Sequence, residues 1–157
     1  MGRWTGSWLS GPGAAGIGER PAAGGHRGDR LGLPAAGPGS VAGFGPRLGA
    51  FLVDSVIANL LVGLVYFAGI HPGPGQRGQL VLAGFLLQEL VLVATAGSTV
   101  GMRMLGIRVV RVDGGRPTLL MVALRTALLS LLVPALIWDA DGRGMHDRAS
   151  GTVVVRA

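Results

Sequence analysis

Apolar residues gather in three long runs, each almost free of charge. Leu48–Ile70 holds 23 residues and one charged side chain, Asp54. Gln79–Ala96 contains Gln88 and Glu89, and Leu119–Trp138 contains Arg125, with Pro134 near its end. At 1.5 Å per residue the first run extends ~34 Å as a helix, enough to cross a hydrocarbon layer of about 30 Å. The pattern predicts helices over 48–70, 79–96 and 119–138. A buried soluble bundle is the competing reading, but runs of 18 to 23 residues exceed ordinary core helices. His71-Pro72-Gly73-Pro74-Gly75 stops the first helix and turns the chain.

The period changes between the second and third runs. Ile107-Arg-Val-Val-Arg-Val112 is β-rich and ends at the turn signal Asp113-Gly114-Gly115. Thr152-Val-Val-Val-Arg156 is a second such run. Two short strands without another sheet leave unpaired edges, so they are expected to pair with each other. The fold class expected is an α-helical membrane protein of two to three hydrophobic helices with a small two-stranded cytoplasmic β element. Residues 44–157 form its membrane domain.

Residues 1–43 read differently, with Gly-Pro-Gly, Pro-Ala-Ala-Gly-Gly and Pro-Ala-Ala-Gly-Pro segments. No apolar run there reaches the length of a signal-peptide core. Such a composition buries too little surface to offset chain entropy, so a disordered cytoplasmic tail is expected. Trp4, Trp8 and Leu9 are its apolar exceptions.

Composition agrees with a membrane setting. Of 157 residues, 49% are hydrophobic and 14% charged, against about 25% charged in soluble domains. Mean hydropathy is +0.52. Cysteine is absent, which excludes disulfides and thiolate metal sites. The net charge of +6 raises the question of nucleic acid. The arginines, however, flank apolar spans rather than forming a basic face with interleaved aromatics. Arg3, Arg20, Arg27, Arg30 and Arg47 precede the first span, and Arg103, Arg108, Arg111 and Arg116 follow the second. This positive-inside distribution puts the N-terminus and residues 97–118 in the cytoplasm, residues 71–78 outside, and the chain in the plasma membrane. Anionic lipid at the cytoplasmic face is the expected partner; nucleic acid is not.

The third run leaves two topologies open. A full crossing puts the C-terminus outside. A re-entrant hairpin broken near Pro134 returns it to the cytoplasm, as the arginines 143, 148 and 156 and the strand pairing require.

The ionisable groups within the runs are the candidate chemistry. Asp54 and Arg125 each lie six residues inside their spans, ~9 Å deep, and Glu89 lies seven residues from the end of its own, ~10 Å deep. Two carboxylates and one guanidinium thus share a level. A lone charge at bilayer depth costs on the order of 3 kcal/mol, so such groups face the protein interior and find partners. Arg125 can neutralise one carboxylate. The other pairs with Arg47, which shares a helix face with Asp54, or reaches water, or is protonated. The cluster either staples helices together or serves a proton, cation or small-solute pathway.

Other motifs are weak. Asp139-Ala-Asp141-Gly lacks the remaining ligands of a calcium loop. His146-Asp147 has no second histidine cluster, which leaves it capping a turn or pairing with arginine. Gly73-Pro-Gly-Gln-Arg lacks the Gly-Lys-Ser/Thr ending of a phosphate loop. No nucleophile–base pair is visible, so an enzyme, a bound metal and a cofactor are not expected.

Taken together, these residues resemble the RDD family of small bacterial membrane proteins. Arg47-x6-Asp54 is similar to the family's opening motif. Gly97-Ser-Thr-Val-Gly101 with Leu105-Gly-Ile-Arg-Val-Val110 and Asp113-Gly114 resembles its central loop. Arg125 resembles the arginine beginning its last membrane segment, and His146-Asp147-x3-Gly151-Thr152 its C-terminal signature. The likeness covers about residues 44–156. Its naming arginine and aspartates fall on Arg47, Asp54 and Asp147. Trp8-Leu-Ser-Gly-Pro12, Arg30-Leu-Gly-Leu-Pro34 and Gly39-Ser-Val-Ala42 resemble the tails of actinobacterial members. Met102 stands where many members carry lysine after the glycine. The resemblance implies a multi-pass membrane protein for which transport, including cation/proton exchange, has been suggested in some members. A homo-oligomer would supply the walls such a small chain lacks. The competing expectation is a non-catalytic scaffold that recruits partners through its N-terminal tail.

Overall fold

The computed structural model describes residues 25–71, 73, 75–131, 139 and 141–157. Two long helices, α1 (Phe44–Phe67) and α2 (Gln76–Ala96), pack as an antiparallel hairpin. A short helix α3 (Val100–Met104) leads into β1 (Ile107–Arg111). Helix α4 (Leu119–Ser130) packs on α2. A second short helix, α5 (Met145–Ala149), leads into β2 (Thr152–Arg156).

The helix ends have local causes. Pro46 lies in the first turn of α1, where its missing N–H is not needed. The far end closes by a Schellman pattern: the Gly69 N–H bonds the Tyr66 carbonyl and the Ile70 N–H bonds that of Val65. Gly69, at φ 82°, supplies the left-handed residue this needs. Both helices begin three to four residues before the expected spans, and α1 ends earlier. The 97–118 segment, expected as loop and strand, also contains α3.

The burial pattern inverts that of a soluble protein. On α1 the buried positions are Ala50, Asp54, Ala58 and Val62, one face at four-residue spacing. Leu52 (54% exposed), Val56, Leu60 (67%) and Leu64 point outward. On α2 the buried face is Phe85, Glu89 and Val93. Small and acidic residues are inside and leucines are outside, the arrangement expected when the solvent is hydrocarbon. Both helices are long and apolar enough to cross a bilayer.

The strands pair antiparallel as expected, with Ile107 opposite Arg156 and Arg111 opposite Thr152. The pairing ties the C-terminus to the segment after α2. The other edge of β2 is covered too. Val41 bridges Val155, the Ala42 N–H donates to the Val154 carbonyl, and the Arg156 N–H donates to that of Ser40. This corrects the expectation of disorder over 1–43 for its described part, 25–43. A one-turn 3-10 helix at Asp29–Leu31 brings Leu31 and Leu33 onto a cluster of Val41, Val153 and Val155. An exposed edge and an apolar sheet face supply the contacts that composition alone did not suggest. Residues 1–24, with Trp4, Trp8 and Leu9, lie outside the described residues. So do residues 132–138, the end of the expected third helix and the site of its break near Pro134.

Candidate functional site

The five ionisable candidates come from four helices and meet near the sheet end of the bundle. Arg47 and Asp54 are on α1, Glu89 on α2, Arg125 on α4 and Asp147 on α5. Glu89, Asp54, Arg125 and Asp147 are at most 2% exposed. Burial on this scale requires partners for every charge.

Asp147 is the centre. Its Oδ2 accepts from Arg47 Nη1 at 2.9 Å and its Oδ1 from Arg125 Nε at 2.8 Å. Arg125 turns its Nη1 to Glu89 Oε1. Arg47 also reaches the Val154 carbonyl, 3.4 Å away, which links the cluster to β2. The His146 Nε2 lies 3.3 Å from Asp147 Oδ1. Burial opposes ionisation of the Asp147 carboxyl, but Arg125, His146 and Arg47 together outweigh it and hold its pKa below the ordinary value.

Asp54 is served differently. Its Oδ1 accepts the Gly101 N–H at 2.8 Å and its Oδ2 the Thr99 hydroxyl at 2.5 Å. Thr99 is also the N-cap of α3, its oxygen accepting from the Met102 N–H at 3.1 Å. One hydroxyl therefore caps a helix and satisfies a buried carboxylate. Gly101 is needed for the approach: a Cβ there would lie 2.3 Å from the Ala50 carbonyl oxygen and 2.9 Å from Asp54 Oδ2.

Two expectations change. Asp54 does not take Arg47 as its partner, because Arg47 reaches towards the sheet and finds Asp147 while α3 fills the space beside Asp54. Arg125 does not choose one carboxylate; its fork holds both Glu89 and Asp147. The expected layer of Asp54, Glu89 and Arg125 does converge, in that all three border one cavity of ≈ 260 Å³. Arg47 and His146 border it too, and its remaining walls are apolar and include Phe51, Phe85, Ile107 and Leu129. Thr99 and Gly101 join the site without being among the residues expected there. Their signal was the Thr-x-x-Met spacing of a cap and a glycine two residues beyond the threonine. His146-Asp147 does pair with arginine, as expected. Asp139 is bound by Arg143, through its backbone N–H at 2.8 Å and its Nε at 3.0 Å.

Inside-out packing and a buried arginine–carboxylate cluster define a helical membrane protein with an ionic site in its interior. Residues 41–151 match the RDD family, and the chain belongs to it. It is also similar to the uncharacterized protein YckC of Bacillus subtilis (strain 168), 33% identical over 128 residues, which span 74% of this chain and 85% of that protein. No solved structure matches.

Proposed function

We propose that the protein crosses the plasma membrane on α1 and α2, with its N-terminus and sheet in the cytoplasm, and moves an ion or small solute by way of the cavity beside the ionic cluster. The observation that carries this reading is the cavity itself, ≈ 260 Å³, bordered by Arg47, Asp54, Glu89, Arg125 and His146. A cluster that only stapled helices would be enclosed by packed side chains. Here the charged groups border open volume at a depth where every polar atom is costly.

The orientation is supported by the arginines. Arg103, Arg108, Arg148 and Arg156 are exposed and flank or lie within the short helices and strands at the sheet end. They suit a cytoplasmic face and anionic lipid. The pairing of β2 with β1 favours re-entry of the third apolar segment, because it returns the C-terminus to the end where α2 finishes.

The test is flux in proteoliposomes of the full chain loaded with a pH-sensitive dye, under imposed gradients of protons, sodium, potassium and benzylammonium. Flux above that of protein-free vesicles, reduced at least tenfold in correctly folded Asp54→Asn, supports the reading. Flux equal to protein-free vesicles under every gradient overturns it.

A further inference from the structure

The cavity has a chemistry that narrows what it can hold. Counting the ionisable residues at it and in contact with it, Arg47 and Arg125 supply two cationic groups, and Asp54, Glu89 and Asp147 supply three carboxylates. The carboxylates therefore outnumber the arginines by one. Both oxygens of Asp54 are engaged, by Thr99 and Gly101, and both oxygens of Asp147 by the two arginines. Glu89 differs. Its Oε1 receives Arg125, while its Oε2 takes no hydrogen bond from the described residues. Glu89 is 2% exposed and lines the cavity. A carboxylate oxygen at that burial needs a donor.

Apart from these groups the lining side chains carry no oxygen. A bare divalent cation takes about six or more oxygen ligands, and the described residues contain no group of three or more His, Cys, Asp or Glu side chains placed to hold a metal. The walls are instead hydrocarbon and aromatic. Phe51 and Phe85 meet edge to face with centroids 5.3 Å apart, and Phe44, Leu48, Met102 and Leu129 continue the surface. Aromatic faces attract cations as well as hydrocarbon. The volume of ≈ 260 Å³ lies below the roughly 300 Å³ at which drug-sized sites begin, so the occupant is small. Phe44, Leu48 and Phe51 are each at least 40% exposed, so the first turns of α1 form a rim through which a ligand can enter from the surface.

We propose that this cavity binds a small organic ammonium ion, its N–H donating to Glu89 Oε2 and its apolar body lying against Phe51, Phe85 and Leu129. The proposal rests on the reading of the cavity as the functional site and names the class of solute.

The test uses the full chain in nanodiscs and three probes sharing one ring: benzylammonium, benzyl alcohol and benzoate, with binding followed by calorimetry at neutral pH. Benzylammonium is expected to bind at least about tenfold more tightly than either of the others. Sodium at equal concentration is expected not to displace it. Glu89→Gln is expected to remove the preference for the cation, and Leu129→Trp, which fills the cavity and leaves the ionic set intact, to abolish binding of all three. Where Glu89→Gln fails to fold, the probe ranking and Leu129→Trp decide alone. Benzyl alcohol or benzoate binding as tightly as the cation, and lost in Leu129→Trp, overturns the ammonium assignment but keeps the cavity as a site. Displacement by sodium overturns it in favour of an inorganic cation. No binding by any probe, with flux unchanged in Leu129→Trp, overturns both the assignment and the reading of the cavity.

Discussion

Asp147 joins Arg47 to Arg125: one carboxylate oxygen faces each guanidinium, at 2.9 Å and 2.8 Å, although the first arginine is 100 residues away in the chain and the second 22. The bridge connects α1 and α4 through α5, and Arg125 extends it to α2. Three helices of the bundle are thus tied to the element that leads into β2. Removing the carboxylate leaves two buried cations facing each other across the site, with Glu89 still beside Arg125. Breaking a buried pair in this way costs about 3–5 kcal/mol. Asp147→Asn is therefore expected to lower the thermal unfolding midpoint of the detergent-solubilised protein strongly. Asp139→Asn, which weakens the pairing with Arg143 (14% side-chain exposure on each partner) and keeps an oxygen to accept from the Arg143 N–H, should lower it less.

The same residue sets an acid limit. Because the folded protein holds the Asp147 pKa below its ordinary value of about 3.9, the unfolded chain binds a proton at a higher pH than the folded one does. The stabilisation is complete above about pH 4 and is lost as the pH falls through the depressed folded value. Unfolding midpoints measured from pH 6 down to pH 3 should fall for the wild type. Asp147→Asn, starting lower, should fall less over that window. Parallel curves for the two proteins would show that Asp147 has an ordinary pKa.

Gly101 is a steric requirement. The 2.3 Å approach of an added Cβ to the Ala50 carbonyl oxygen involves backbone on both sides, so neither partner can swing away. Gly101→Ala must separate α1 from α3 and is expected to cost about 1–3 kcal/mol, the usual range for overpacking. It also weakens the bonds at Asp54. Gly84, inside α2, has open space where its Cβ would go. Gly84→Ala should be neutral or stabilising by roughly 0.5–1 kcal/mol, from helix propensity alone. Chemical or thermal unfolding of the two variants side by side checks both signs.

Thr99 carries two bonds through one hydroxyl, so its loss is felt twice. Thr99→Val keeps the shape but removes the acceptor for the Met102 N–H and the donor to Asp54. It should cost about 2–4 kcal/mol, one helix cap plus one unsatisfied buried carboxylate oxygen. Thr99→Ser, which keeps the hydroxyl, should recover most of that. Equal losses in the two variants would mean that the methyl group, not the hydroxyl, is what the site uses.

The parts of this fold that were legible in the sequence are those with a one-dimensional signature. A run of apolar residues long enough to cross hydrocarbon marks α1 and α2, and two Val-rich segments with no other partner mark β1 and β2. The level shared by Asp54, Glu89 and Arg125 follows from counting residues along straight helices, and all three do border one cavity. Pairing within the site was not legible, because it depends on elements too short to leave a period. Pairing with Arg47 along the same helix is one of three outcomes the sequence leaves open for Asp54, yet α3 and α5, five residues each, bring Thr99 and Gly101 to Asp54 and Asp147 to Arg47. Residues 25–43 misled for a related reason. Their glycine and proline content says nothing of the free edge of β2, and that edge exists only once β2 has paired with β1.

The edge pairing also makes the topology testable. If β2 lies between β1 and residues 39–42, the C-terminus must be on the same side of the membrane as the segment after α2. The chain has no cysteine, so single cysteines can report on side without background. Gly75, Arg108 and Ala149 are exposed and lie outside the long helices, at the α1–α2 turn, on β1 and at the end of α5. Ser150, by contrast, is 3% exposed and hydrogen-bonded to the His146 carbonyl, so it would resist any reagent from either side. An impermeant thiol reagent added to intact cells should label Gly75→Cys and spare Arg108→Cys and Ala149→Cys until the cells are opened. Labelling of Ala149→Cys together with Gly75→Cys in intact cells, with Arg108→Cys spared, would put β1 and β2 on opposite sides. The sheet, the contact of Arg47 with the Val154 carbonyl and the bridge through Asp147 could not then form in the membrane.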